Sequence, residues 1–322
     1  MLRPSRTGAC SCRARAPFPP TRAHSPPFFA YTPFVCARSP PPPPSHPLCP
    51  GSFWSTEVQP GSAFPKATEP FSSMEAAVAV YSTAPVMLSD GAGFTNATLA
   101  LATCTSGGRL LQPSRPATAL DACFAAAARG DGSAPAAQKP NALPVMSTHT
   151  AVGGRAWAHV LVIGLAGDAA LTPSMLPLDV APAAGDAGLL AYEGWREAGG
   201  GAFTLLGAWS EGAPLTLRAA PDPHAWSLTH AAPLLPSGWA YLGEAAKLAP
   251  VSAWRTASVE AAPGGGGGGV AVGVRGEPGE AVALSVAQPQ AGGGWRVVAH
   301  TCVLPAAGAA TVVYDGAGGR CE

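Results

Sequence analysis

Fourteen of the first 52 residues are proline, including the unbroken run from Pro40 to Pro44. Each proline fixes φ and removes an N–H donor, so neither helix nor sheet propagates through such a stretch. The head is expected to be disordered or polyproline II, and folding is expected to begin near residue 53. The same head holds six Arg, no Lys and no acid. Its composition resembles an organelle transit peptide, a lean towards organelle targeting rather than an assignment. It lacks the apolar core of a secretory signal, because prolines flank Phe28-Phe29-Ala30-Tyr31 on both sides. A plain tail, or a start outside the true coding frame, are the other two readings. The rest of the chain carries 13 basic and 19 acidic residues, a net of −6 that cancels the head. A neutral total excludes a whole-chain electrostatic case for nucleic acid or an anionic membrane. No apolar run reaches the ~18–20 residues of a transmembrane helix.

Eight cysteines invite a disulfide or metal reading, but four (Cys10, Cys12, Cys36, Cys49) lie in the head. Cys104, Cys123, Cys302 and Cys321 are scattered without CxxC spacing and read as buried or incidental thiols. The seven His show no paired-ligand spacing, so no metal site and no cofactor is expected. Asn96-Ala97-Thr98 is a glycosylation sequon, relevant only in a secreted chain.

Ser72-x-x-Glu75 has capping-box spacing, and Met74, Ala77, Val78 and Tyr81 then recur at helical intervals, predicting a helix to about Ser82. After Ala84-Pro85, Val86-Met87-Leu88 reads as a short buried strand, ending at Ser89-Asp90 and Gly91-Ala92-Gly93. Asn96 can cap a second helix, Ala97 to Cys104, stopped by Gly107-Gly108. Helix, strand, polar strand end, glycine loop and helix make an α/β unit. In an α/β barrel that polar end faces the active site. The bland alternative is a Ser-Asp turn capping the next helix.

The stretch Ser82-Thr83-Ala84-Pro85-Val86-Met87-Leu88-Ser89-Asp90 with Gly93 resembles the last barrel strand of plant raffinose synthases and alkaline α-galactosidases, S-G-G-P-x-Y-V-S-D-x-x-G. Gly108-Arg109-Leu110-Leu111 is similar to their D-G-S-x-L-R strand. Arg115-Pro116-Ala117-Thr118 with Asp121, Cys123 and Phe124 is similar to R-P-T-x-D-C-L-F. Phe53-Trp54-Ser55 through Pro60 sits where the family has W-D-M-F. The resemblance spans residues 53–125 and implies a glycoside-hydrolase-type (β/α)8 barrel followed by a β-sandwich. Family enzymes act on α-galactosides through two carboxylates, a K-x-D nucleophile and an R-x-S-D-D acid/base, in the retaining scheme. Neither motif occurs in this sequence, which implies the C-terminal portion of such an enzyme, truncated and inactive. No catalytic residue is assigned. By the resemblance, Ser89 and Asp90 contact sugar hydroxyls and Trp54 stacks on a pyranose face.

After Asp131-Gly132-Ser133-Ala134-Pro135, short β-like runs alternate with turns. The clearest are Trp157 to Ile163, Leu189 to Tyr192, Phe203 to Trp209, Leu215 to Arg218, Trp239 to Leu242, Val270 to Val274, Ala281 to Val286, Trp295 to Cys302 and Ala310 to Tyr314. Val270, Val272 and Val274 alternate, as do Trp295, Val297 and Ala299. Glu277-Pro278-Gly279-Glu280 is a type II turn candidate, and the six glycines from Gly264 to Gly269 a flexible tip. The pattern predicts an antiparallel sandwich. Its seven Trp are expected mainly in the core, as is His159, while an exposed Trp face would suit a non-catalytic carbohydrate-binding module. The expected fold is thus α/β plus all-β: an incomplete barrel end at 53–130, a linker at 131–150 and a β-sandwich at 151–322, with nothing that sets the oligomeric state.

Overall fold

A computed structural model describes residues 52–54, 71–88, 90, 95–129, 145–165, 167–176, 186–196, 200–219, 222, 224–262 and 268–322. The proline head to residue 51, linker residues 131–144, Ser89, Gly91-Ala92-Gly93 and the first four glycines of the six-glycine run lie outside the described residues.

The chain opens with β1 (Ser52–Trp54), α1 (Ser72–Tyr81), β2 (Val86–Leu88) and α2 (Ala97–Leu101). β1 and β2 pair in parallel, with Ser52 opposite Val86, Phe53 opposite Met87 and Trp54 opposite Leu88. Parallel neighbours need a crossover, and α1 lies in it, completing a β-α-β unit. α1 buries Met74, Ala76, Ala77, Ala79, Val80 and Tyr81, a face wider than the expected stripe. The helix starts at Ser72 after an N-cap at Phe71 that makes no side-chain cap bond, so Ser72 is not the N-cap that the capping-box spacing implied. Asn96 caps α2 as expected, its side chain accepting from the Leu99 N–H, but that helix stops at Leu101 rather than Cys104.

Next come β3 (Thr118–Ala119), α3 (Asp121–Arg129), β4 (Val145–Val152), β5 (Arg155–Ile163), β6 (Ala169–Leu171), β7 (Gly188–Arg196), β8 (Thr204–Trp209), β9 (Leu215–Leu217) and β10 (Trp226–Leu234). Six of these strands form one antiparallel sheet in the order β3-β4-β5-β10-β7-β8, and β6 pairs with β9. The last part holds β11 (Ala240–Gly243), β12 (Thr256–Ala261), β13 (Val270–Arg275), β14 (Ala281–Pro289), β15 (Trp295–Val303), β16 (Ala309–Asp315) and β17 (Gly318–Cys321). They make a three-stranded sheet β11-β14-β15 and a four-stranded sheet β12-β13-β16-β17.

Among the described residues, parallel pairing is confined to β1 and β2, and no (β/α)8 barrel is formed. The expected barrel segment also ends too late. Thr118 pairs with Ser147, and Leu120 and Cys123 pack in a core of the large sheet, so residues 118–129 belong to the antiparallel body. Gly108 to Leu111 is no strand; Leu110 makes a single bridge to Cys104. Residues 145–150, placed in the linker by sequence, are the first six of β4.

The large sheet is covered on both sides, which is why β5 reads as a continuous apolar run. Ala156, Ala158, Val160 and Val162 join Leu171, Leu176, Trp209 and Leu217 in one core. On the other side, Trp157, Leu190, Tyr192 and Ala232 pack with the C-terminal sheets around Val272, Leu284 and Tyr314. Further along that second side, Leu161, Trp226 and Leu228 receive α1 and the loop at Leu248 and Ala249. The Tyr81 hydroxyl donates to the Leu248 carbonyl at 3.1 Å, which pins α1 to that loop. The Glu277–Glu280 turn forms as predicted: Gly279 has φ +79° and the Glu280 N–H donates to the Glu277 carbonyl.

Candidate functional site

The β-α-β unit brings two of the three sequence-selected residues to one sheet edge. Both strands point the same way, so Trp54 ends β1 beside Leu88, which ends β2. Asp90 follows two residues later and is half-buried. Ser89 and the glycine loop lie outside the described residues. The carboxyl ends of neighbouring parallel strands lie on one side of their sheet, so Trp54 and the chain leading to Asp90 are at the same end of it.

Two buried polar clusters escaped the sequence reading. In the first, His159 and His230 face each other as register partners on β5 and β10, with both rings inaccessible to solvent. The Thr150 hydroxyl donates to the Val251 carbonyl at 2.9 Å, so its oxygen accepts from His159 Nε2 at 2.9 Å. With Nε2 protonated, His159 Nδ1 is an acceptor for His230 Nδ1–H, also 2.9 Å away. The chain of donors is therefore complete with both imidazoles neutral. Burial drives His159 well below the usual histidine range, reinforced by repulsion from His230 and His149, and drives His230 down to about 3. A Cβ at Gly194 would stand 2.6 Å from His230 Nε2, so the glycine makes room for the ring. His159 is the satisfied core histidine expected; its partner is set by long-range register, which leaves no local mark.

The second cluster is ionic. Arg255 is 1 % exposed and grips Glu280 in a bidentate pair, Nη1 at 2.9 Å and Nη2 at 2.6 Å. Its Nε donates to Glu244 at 2.8 Å and its Nη1 also to the Arg275 carbonyl at 2.7 Å. Glu280 accepts in addition from the Ser106 and Glu277 N–H groups. Burial opposes its charge, but Arg255 and these two amides hold it down at about 2. Glu244, with burial dominant and one guanidinium nitrogen as partner, moves up instead. The triad ties three β segments to the α2 loop and has no group left for chemistry.

A cleft of about 370 Å³ lies beside this triad, lined by Leu101, Ser106, Lys247 and Glu280. Lys247 is committed to it as a helix stop, donating to the Leu101 and Cys104 carbonyls. A second cleft, about 300 Å³, opens between β7, β8 and β9, with Glu193, Thr216 and Arg218 around Leu206, Trp209 and Pro214.

Trp157, Trp195, Trp209, Trp226 and Trp239 are buried, as expected of core tryptophans, while Trp254 and Trp295 are half-buried. Arg109 lies over the Trp254 ring at 4.2 Å. The thiol reading needs correction: Cys302 and Cys321 form a disulfide, and Cys104 and Cys123 are free. Nineteen residues of separation without a motif gave no sequence signal for that pairing. Among the described residues no group of three or more His, Cys, Asp or Glu is placed to hold a metal ion. No helix among them is long and apolar enough to cross a membrane. No protein-family model matches the chain, and no curated protein matches it.

Proposed function

We propose that this chain is a carbohydrate-binding relative of the raffinose synthase and alkaline α-galactosidase group, holding an α-galactoside at the carboxyl ends of β1 and β2 without hydrolysing it. The observation that carries this reading is the parallel register of Trp54 with Leu88, two residues before Asp90. A carboxylate accepts hydrogen bonds from vicinal hydroxyls, and an indole offers the flat apolar face that pyranose C–H groups pack against. Ser89 adds a hydroxyl between them in sequence. Retaining hydrolysis needs a second carboxylate roughly 5–5.5 Å from the first. The K-x-D and R-x-S-D-D motifs that supply the pair in the family are absent from the sequence.

Calorimetric titration of the full chain with raffinose and with melibiose tests this. Wild type is expected to bind without releasing galactose. Asp90→Asn should weaken binding by about 10- to 100-fold, the range for a lost hydrogen bond to a charged group. Trp54→Ala should weaken it as well. No heat with any α-galactoside at tens of millimolar sugar, on the order of the weakest useful affinity, overturns the proposal.

A second reading, a binding module on the sandwich, is favoured by the cleft between β7, β8 and β9, where Glu193, Thr216 and Arg218 lie beside Leu206 and Pro214. Glu193→Gln separates the two. Loss there with Asp90→Asn unaffected moves the sugar to the sandwich.

A further inference from the structure

We propose that the Cys302–Cys321 disulfide is a reversible dithiol-exchange site, attacked at Cys321, and that its reduction releases β17 from β15. This inference does not rest on the sugar-site reading.

Three features carry it. First, the bond joins two different sheets. Cys302 is on β15, an end strand of the three-stranded sheet, and Cys321 is on β17, an end strand of the four-stranded sheet, with Cα atoms 5.8 Å apart. Second, the two sulfurs differ in access. Cys302 sits fully buried in the main core with Val282 and Tyr314, whereas Cys321 is exposed, one residue from Glu322. An external thiolate therefore reaches only the Cys321 sulfur. Third, β17 is short, and besides its backbone ladder and Cys321 its side-chain tie to the body is the Arg320–Asp315 ion pair, exposed to solvent. It pairs with β16 alone over four residues, two of them glycine, followed by the reciprocal Thr311–Glu322 backbone bonds. A Cβ at Gly319 would meet the His300 Cβ at 2.5 Å, so β17 stays thin to let β15 lie against it. His300 Nε2 is itself 3.5 Å from Cys321 Sγ.

The chemistry balances with a dithiol as reductant. Its first thiolate attacks Cys321 Sγ, the Cys302–Cys321 bond breaks, and Cys302 Sγ leaves with the electron pair and takes up a proton. The second thiol of the reductant, deprotonated, then displaces Cys321 from the mixed disulfide. The dithiol is oxidised to a cyclic disulfide and the protein gains two thiols. What remains on the seam between β15 and β17 is contact without a covalent tie.

Differential alkylation of the full chain with peptide mapping reads this directly. Without reductant, Cys302 and Cys321 should resist alkylation. Dithiothreitol in native buffer should open both in equal measure while labelling at Cys104 and Cys123 stays constant. The oxidised form of that reagent should close them again. Reduction should lower Tm by about 5–10 °C, the scale for unlinking a loop of this length in a domain of this size. Cys321→Ser should reproduce the reduced Tm; if that variant does not fold, wild-type mapping decides alone. Alkylation of Cys321 before any reductant, reduction only in denaturant, or an unchanged Tm on reduction overturns the proposal.

Discussion

The parallel β1-α1-β2 unit and the antiparallel body handle polar groups in opposite ways. In the body they are buried and spent on one another. His159, His230 and Thr150 solve desolvation by staying neutral, passing donors down a chain to the Val251 carbonyl. Arg255, Glu280 and Glu244 solve it by staying charged, with four guanidinium hydrogen bonds. The histidine pair is sealed from solvent, and in the triad Glu280 alone borders a cleft. In the parallel unit, Asp90 follows the end of a strand whose last residue stands beside Trp54. Polar groups in the body thus hold it together, while Asp90 stands two residues past the end of β2, where we propose the sugar is held. The two clefts do not blur that division. One borders the triad itself, and the other is bounded by a surface ion pair of Arg218 with Asp168.

The sharpest way to break the comparison is acid. Both imidazoles have folded values below the ordinary 6.5, so the unfolded chain binds protons that the folded chain refuses. Their contribution is fully present above about pH 6.5 and is lost as pH falls from there towards the folded values. Each imidazole should cost about 1.4 kcal/mol per pH unit on that limb. Glu280, depressed to about 2, adds its own loss only below about pH 4.5. Urea unfolding at successive pH values should show the histidine limb first, and a His159→Leu, His230→Leu double variant should flatten it. A stability flat from pH 7 to 5 would mean that the pair is not buried neutral.

Arg255→Met comes next. It strands two buried carboxylates and should cost about 3–5 kcal/mol by chemical denaturation. Adding Glu244→Leu should recover part of that loss, and adding Glu280→Leu less, because the Ser106 and Glu277 amides would lose their acceptor. A cost below about 1 kcal/mol would place the triad with surface pairs, against its burial. Asn96→Ala is the mildest. It removes the bond to the Leu99 N–H at the start of α2 and should cost about 1 kcal/mol. Several kcal/mol there would make α2, the element that follows the parallel unit, as tightly integrated as the body.

Local chemistry was legible and long-range geometry was not. α1, β2, the Asn96 cap and the Pro278-Gly279 turn were readable because each depends on residues within a few positions, although β2 is not the buried strand expected: Leu88 is 46 % exposed. β13 buries Val270, Val272 and Val274 as its alternation foretold. β15 kept the period but not the phase: Val297 and Ala299 face outward, and His300 and Cys302 face in. β4 was missed because its middle is Ser147-Thr148-His149-Thr150, polar by composition yet buried. Thr148 and Thr150 are accommodated by the Arg115 and Val251 carbonyls, neither predictable from spacing. β10 was missed for its Pro233, which ordinarily argues against a central strand. The proline lies past Ala231, the last residue paired with β5, on a flank where that ladder has ended. Of the candidate site, sequence selected Trp54, Ser89 and Asp90; the parallel register that sets Trp54 beside Leu88 required the fold.

The central claim is that sugar is held at the parallel edge rather than on the body. Backbone amide shift mapping of the isotopically labelled full chain during a raffinose titration tests it most directly. The account predicts shifts at Ser52–Trp54, Val86–Leu88 and Asp90 that vanish in Asp90→Asn. Shifts confined to the β7, β8 and β9 cleft, or none at saturating sugar, would contradict it.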